Sequence, residues 1–488
     1  MIHITYSRAR RVVFWLLLTF SPSIASPQAP PQLPDFGDPS GSILSAQLER
    51  ELGEEIMRQI RSQGALIQDT QIQEYVRNLG QRLRAGADSY THEITFFAID
   101  DPAVNAFALP GGFIGINTGL ITASRSEAGL ASVIAHEIAH VTQRHLARSF
   151  SLASNLTLPT LAAIVAGILI GGEVGIAAAM AAQAGATQVQ INFTRQNEQE
   201  ADRVGMQVLA RSGFDPRAMA SMFETLQQSS RYYGEGPPEF LRTHPLDANR
   251  IAEARDRAER YRRRPLKDSF LYHLTRARIA VVGARSMNKY VQAAKARLAA
   301  GKYRNEEAER YGYALALNQT GKQAQARNEI TTLLKKRPDE PAYLIAMAEI
   351  EAAAGRFDRA IKLLRPHQRD YPNHHSLALT LAEIQILGGQ PADAVKTLSD
   401  HLEFRASDPD TWLMLARAQR AQQRRGPAHK SLGQYHFLLG NYKAAIYQLE
   451  LALKDRTIDD YESARIEARL KVLRALLKQR QAELAKHE

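Results

Sequence analysis

A chain of 488 residues, 44% hydrophobic and 23% charged, is long enough for two or three packed domains and too apolar to be disordered. It contains no cysteine, which excludes a disulfide framework and a lipid-modified cysteine as an anchor. The net charge of +11 is dispersed along helical stretches without a recognisable binding motif, so no nucleic acid is expected, and anionic membrane surfaces or acidic partners fit better.

Arg8, Arg10 and Arg11 precede the apolar run Val12 to Phe20 and the small-x-small site Ser23-Ile24-Ala25. This is the pattern of a cleaved secretory signal over residues 1–25, and the run is short for a retained anchor. Residues 26–42, with the Pro-rich stretch Pro27 to Pro39, read as a flexible lead. Further on, Ile94 to Ile99 and Val104 to Leu109 are β-rich, and Pro110-Gly111-Gly112 makes a turn before Phe113 to Asn117. A small hairpin-bearing sheet is predicted. An edge at Asn105, Ala106, Phe107 and Ala108 could take up an extended substrate as an added strand, and an ordinary buried hairpin would give the same pattern.

Ser124 to Glu127 reads as a capping box, and Leu130, Val133, Ile134, Ile138 and Val141 follow at helical spacing. On that helix lies His136-Glu137-Ile138-Ala139-His140. Histidines at i and i+4 share a face and can place two nitrogens on one Zn²⁺, while the carboxylate beside the first serves as general base to a water activated by the metal. His145, read as one helical step further on, is expected at the surface. The segments Leu152 to Gly171 and Val174 to Gly185 are too apolar for an ordinary loop. Helices covering the active site, contact with a membrane surface, and insertion are the three readings, the last weakened by Asn155, Thr157 and Pro159.

A catalytic zinc needs a third protein ligand, and Asn197-Glu198-Gln199-Glu200-Ala201-Asp202 offers carboxylates at helical spacing. Glu198 and Asp202 face one way, which makes Glu198 the expected third ligand and Asp202 the acceptor that fixes a ligand imidazole's tautomer. Glu200 points elsewhere and is the fallback ligand. After Pro265 helix follows helix, and Gly321, Gly355 and Gly389 recur at the tetratricopeptide period of about 34 residues. Ala314 with Ala326, Ala348 with Ala360, Ala382 with Ala394, and Gly433 with Ala445 around Gly440 hold the small-residue positions of four repeats. Leu271 to Ala300 adds a degenerate pair, and a helix from Asp460 caps the stack. Pro409 comes late, and the longer step to Gly440 breaks the period.

His136-Glu137-x-x-His140, then Glu198-x-x-x-Asp202, with Asn105-Ala106-Phe107-Ala108-Leu109-Pro110-Gly111-Gly112 upstream, resembles the zinc metallopeptidases of the HtpX and CAAX-prenyl-protease type. With the secretion signal and the repeats, the chain is most similar to the beta-barrel assembly-enhancing proteases of the Gram-negative periplasm. The resemblance implies a mostly α, α+β fold. A zincin-type metallopeptidase domain with a small β-sheet (43–264) would precede an α-solenoid of tetratricopeptide repeats (265–488). It implies one Zn²⁺ per chain on His136, His140 and Glu198, with Glu137 as the base. The implied clients are unfolded or stalled outer-membrane β-barrel proteins or their insertion machinery, with degradation by the protease and assistance from the repeats; a peripheral membrane contact would fit the charge.

The same resemblance sets Thr243-His244-Pro245-Leu246 beside the active site, where His244 could stabilise an oxyanion or take the open zinc position and make the enzyme latent. Arg250 could stabilise negative charge or pair with an acidic neighbour. Two functional classes follow, an endopeptidase and a repeat-based chaperone or adaptor whose protease is normally shut.

Overall fold

Two amphipathic helices open the described chain. α1 (Ala46–Ser62) is capped by the Ser45 hydroxyl, which accepts from Leu48 N, and α2 (Thr70–Arg84) by the Asp69 carboxylate, which accepts from the amides of Gln71 and Ile72. Each buries an apolar stripe, Leu52, Ile56 and Ile60 on the first and Ile72, Val76 and Leu83 on the second. The computed structural model describes residues 45–87, 93–146, 195–232, 238–263 and 267–485. The expected signal segment, the Pro-rich lead and the apolar insert 152–185 lie outside them. No helix among the described residues is long and apolar enough to cross a membrane.

β1 (Thr95–Ile99), β2 (Ala106–Leu109) and β3 (Phe113–Asn117) form one sheet in the order β1-β3-β2. The expected hairpin is β2 against β3, antiparallel, and β1 runs parallel to β3. Gly111 and Gly112 turn the hairpin at φ +71° and +85°, with backbone of Arg50 and Glu93 so close that a Cβ would meet it at 2.6 and 2.7 Å. The short α3 (Thr118–Ala123) leads into α4 (Glu127–Thr142), buried around almost its whole circumference and therefore central to the domain.

The cap of α4 differs from the predicted box. Ser126 is the N-cap and accepts from Gly129 N, whereas the Ser124 hydroxyl bonds to Ile121 O and Tyr272. Glu127 looks outward from the helix start and accepts from the Tyr75 and Ser269 hydroxyls at 3.1 and 2.7 Å. α5 (Arg195–Arg211) packs along α4, followed by α6 (Arg217–Tyr232), the single turn α7 (Glu239–Thr243) and α8 (Ala248–Glu259).

Beyond α9 (Phe270–Val282) and α10 (Met287–Ala299) the helices pair regularly. α11 (Glu306–Gln319) pairs with α12 (Gln323–Lys336), α13 (Pro341–Ala353) with α14 (Phe357–Asp370), α15 (His375–Leu387) with α16 (Pro391–Leu402), and α17 (Pro409–Ala421) with α18 (Arg425–Leu438). α19 (Tyr442–Leu453) and the long α20 (Asp460–Ala485) close the array. Gly321, Gly355 and Gly389 make the turns within the first three pairs at φ +76°, +75° and +75°.

The repeat then continues where glycine spacing predicted a break. Gln423, one period beyond Gly389, takes the same turn at φ +62°, and Ala416 and Ala428 hold the buried packing positions around it. Pro409 is in register too, opening α17 as Pro341 opens α13 two periods earlier. Gly440, at φ +69°, belongs to a turn half a period further on, so α18 is the second helix of one pair and the first of the next.

The repeats and the peptidase part are tightly joined. Tyr272 and Ile279 of α9 sit in the core built around α2, the sheet and α4, while Leu274 and Val281 of the same helix sit in the first core of the repeats. α9 thus belongs to both cores. A second tie is Glu74 of α2, a buried carboxylate that accepts from His375 N (3.2 Å), Ser376 N (3.1 Å) and the Ser376 hydroxyl (2.6 Å) at the start of α15. Burial alone would raise the Glu74 pKa, but His374 and the Ser376 hydrogen bonds hold it below the ordinary carboxylate value.

Glu74→Ala leaves buried donors unmatched and is expected to cost about 1–3 kcal/mol in urea unfolding at neutral pH. Because the folded-state pKa of Glu74 is depressed, its contribution is present above the unfolded carboxylate pKa and lost as pH falls through the folded value. The gap between wild type and variant should accordingly close under acid conditions. Gln423→Gly removes an exposed side chain from a left-handed turn and is expected to stabilise the protein by about 0.5–1 kcal/mol in the same assay.

Candidate metal centre and active site

The site forms where α4 and α5 touch. Gly205 of α5 lies against the turn of α4 that carries the first histidine, and a Cβ there would stand 3.0 Å from Ala135 O and the His136 backbone. That approach lets short carboxylates on α5 reach the imidazoles of α4. His136 Nε2 and His140 Nε2 are 3.0 Å apart, and Glu198 oxygens lie 3.4 Å from each. Asp202 Oδ1 is 3.0 Å from His136 Nδ1, on the far side of that ring.

Arg250, only 2% exposed, holds both carboxylates. It grips Asp202 through Nε and Nη2 at 2.8 Å each, reaches Glu198 Oε2 with Nη1 at 2.9 Å, and donates to Pro245 O at 2.7 Å. Both carboxylates are thus ion-pair partners of Arg250. His244 follows α7, with Nδ1 3.0 Å from Glu198 Oε1 and 3.4 Å from His136 Nε2, and Nε2 3.5 Å from Glu137. Its ring stacks on Phe240. Glu137 is fully buried, with His244 and the Ala108 backbone facing it.

β2 is an edge strand by pairing, and it packs against α4. Asn105 O accepts from Asn117 N at 3.0 Å just before the strand. Ala106, Phe107 and Ala108 are all buried, so the edge proposed for an added peptide is covered in this state.

The donor set fits a cation. One ligand atom each from His136, His140, Glu198 and His244 lies within 4.8 Å of the others, in a group buried throughout. Burial works to lower the His136 pKa, yet Asp202 and Glu198 outweigh it and hold the ring at about 10. Burial drives His140 well down, helped by His136, whereas burial pushes Glu137 up against the opposing pull of His244, His136 and the Ala108 backbone. Glu198 resists its own burial through His244 and His136 and falls well below the usual carboxylate range; Asp202 falls through His136 and Arg250. Two imidazoles and a carboxylate, with a further carboxylate alongside, form a donor set suited to zinc.

One residue was misplaced by sequence reasoning. His145 is fully buried and touches the site, with Nδ1 2.9 Å from His140 Nδ1 and Nε2 3.1 Å from Glu200 Oε2. The helix ends at Thr142 and the chain turns at Arg144, φ +52°, so continuing the helical period through His145 pointed it to the wrong side. Glu200, the fallback ligand, meets this imidazole rather than the metal-facing atoms.

Fold and site together define a metallopeptidase with an appended helical-repeat array. The description of peptidase family M48 matches residues 68–258, and that of a tetratricopeptide repeat matches residues 351–418. The chain is 36% identical over 447 residues to the beta-barrel assembly-enhancing protease of Escherichia coli (strain K12), covering 91% of each chain. It is 35% identical over 456 residues to a putative protease of that name from Vibrio cholerae, covering 92% of this chain and 93% of the relative. A mitochondrial metalloendopeptidase of Arabidopsis thaliana is 32% identical across 31% of this chain and 29% of its own. The chain belongs to the beta-barrel assembly-enhancing protease family of M48 metallopeptidases.

If the close approach at Gly205 sets the ligand geometry, Gly205→Val must separate α4 from α5. Zinc affinity, measured by chelator competition, is expected to fall at least about tenfold, in the range seen when metal-site surroundings are disturbed.

Proposed function

We propose that this chain is a periplasmic zinc-dependent endopeptidase that degrades misfolded or stalled outer-membrane proteins, that His244 keeps it latent, and that the repeats engage clients or their insertion machinery. The name of its relatives supports the connection with β-barrel assembly, and the signal-like N-terminus supports export. The observation that carries latency is the place of His244. One ring nitrogen faces the atoms of His136 and Glu198, and the other faces Glu137. An imidazole in that position fills the space between the residues that would hold the metal and Glu137, the space a reacting water would need.

His136 Nε2, His140 Nε2 and Glu198 would hold the zinc, with Asp202 fixing His136 and Arg250 fixing both carboxylates. When bound, zinc supplies Lewis acidity to a water and to the scissile carbonyl. Glu137, buried and raised in pKa, takes a proton from the water and returns one to the leaving amine. Ala106 to Ala108 would hydrogen-bond the extended substrate once the covered edge is opened. Withdrawal of His244 and exposure of that edge together would constitute activation.

Casein hydrolysis at equal zinc loading tests this reading. Glu137→Gln should lower the rate at least about 100-fold, as expected for loss of a general base. His244→Ala should raise it above the unchanged chain. A loss in His244→Ala would instead make that residue an oxyanion stabiliser. Absence of cleavage by the wild type and by His244→Ala despite bound zinc would favour a repeat-based chaperone or adaptor, a reading that the buried edge and the inserted imidazole also support.

A further inference from the structure

We propose that His145 and Glu200 form a positioning relay for the metal ligand His140, in which Glu200 orients His145 and His145 holds His140 in the tautomer that presents Nε2 to the metal. This rests on the reading of His140 as a ligand.

The direction of every hydrogen bond follows from that one assignment. If Nε2 of His140 offers its lone pair to a metal, its Nδ1 must carry the proton. That N–H can donate only to an acceptor, and the atom 2.9 Å away is His145 Nδ1. His145 Nδ1 is then unprotonated, so its proton resides on Nε2 and points to Glu200 Oε2 at 3.1 Å. The chain ends on a carboxylate, which accepts without needing a proton of its own. In each of these two contacts a donor faces an acceptor.

The backbone is shaped to make this contact. A residue five places after His140 on a continuing helix would lie well around the circumference from it. The chain leaves the helix instead, and Arg144 takes a left-handed conformation at φ +52°, unusual for a residue with a side chain. Glu49 of α1 grips the Arg144 guanidinium, with Nε 3.0 Å from Oε1. The turn lays the His145 ring edge-on to His140, their centroids 4.8 Å apart, and closes it from solvent. The two histidines of the motif are thus fixed by different means, His136 by a carboxylate directly and His140 by a carboxylate acting through an imidazole.

Zinc affinity from equilibrium chelator competition, with the thermal midpoint of each chelator-treated protein as the control for folding, separates positioning from general support. His145→Leu, which removes the acceptor, should weaken zinc binding by about 10–100-fold. His145→Gln offers a side-chain carbonyl to His140 Nδ1–H and should recover most of that loss. Glu200→Ala, at the more exposed end of the relay, should weaken binding less than His145→Leu and leave the midpoint in place. Wild-type affinity in a folded His145→Leu, or equal losses in the Leu and Gln variants, would overturn the relay. If His145→Leu does not fold, Glu200→Ala decides: weakened binding supports the relay and unchanged binding overturns it. His140→Ala tests the underlying assignment separately, since wild-type zinc affinity there would mean that His140 is no ligand, whatever the relay variants do.

Discussion

The contact of α4 with α5 is the constraint on which the site depends. Two imidazoles on one helix can bind a metal only weakly; the third ligand must come from another element, and a carboxylate side chain is short. Gly205 brings the second helix within reach, and Glu198 and Asp202 then meet the two ring nitrogens of His136. The result is a set of charged and titratable groups almost wholly closed from solvent. Burying two carboxylates together would be prohibitive without compensation, and Arg250 supplies it through bidentate geometry to Asp202 and a further bond to Glu198. Removing one member of such a network leaves the others buried and uncompensated, so the arrangement resists partial change.

How much of this was legible depended on whether the signal lay in spacing or in turns. The i, i+4 histidines and the Glu-x-x-x-Asp pattern lie within regular helices, where side-chain direction follows from position alone, and the residues they pointed to converge in space. The 34-residue period was equally plain while glycine marked the turns. It vanished at Gln423, because the left-handed turn there is formed by a residue that favours it only weakly, and the packing at Ala416 and Ala428 had to be seen to restore the unit. His145 failed for the same reason, one residue past a left-handed Arg144. The Ser126 cap was hidden by a neighbouring serine at an equally plausible offset, which serves another helix instead. Sequence periodicity carries information only as far as the helix does.

Arg250 shows a different limit. Its distance along the chain from Asp202 leaves its partner undefined, and the two roles open to it differ only in geometry. The grip on Asp202 and Glu198, together with the bond to Pro245 O one residue beyond His244, makes it a support for the ligands and for the loop that carries the imidazole. If His244 withdraws as proposed, it would do so beside a fixed point, since Arg250 holds Asp202 and Glu198 independently of that ring.

The repeats bear on this site through α2. Its Glu74 receives the start of α15, and its next residue, Tyr75, donates a hydrogen bond to Glu127 at the first turn of the helix that carries both histidines. Glu127 in turn accepts from Ser269, the cap of α9, which belongs to both cores. Consecutive residues of one short helix therefore face the repeats on one side and the catalytic helix on the other. A helical array attached only by a linker could recruit a client without the peptidase sensing it. An array whose helix termini are capped by carboxylates of the peptidase part shares those contacts with it, so displacement of α15 must either break the Glu74 bonds or carry α2 along. The second outcome reaches the amino-terminal end of α4 directly, through packed groups and hydrogen bonds at every step.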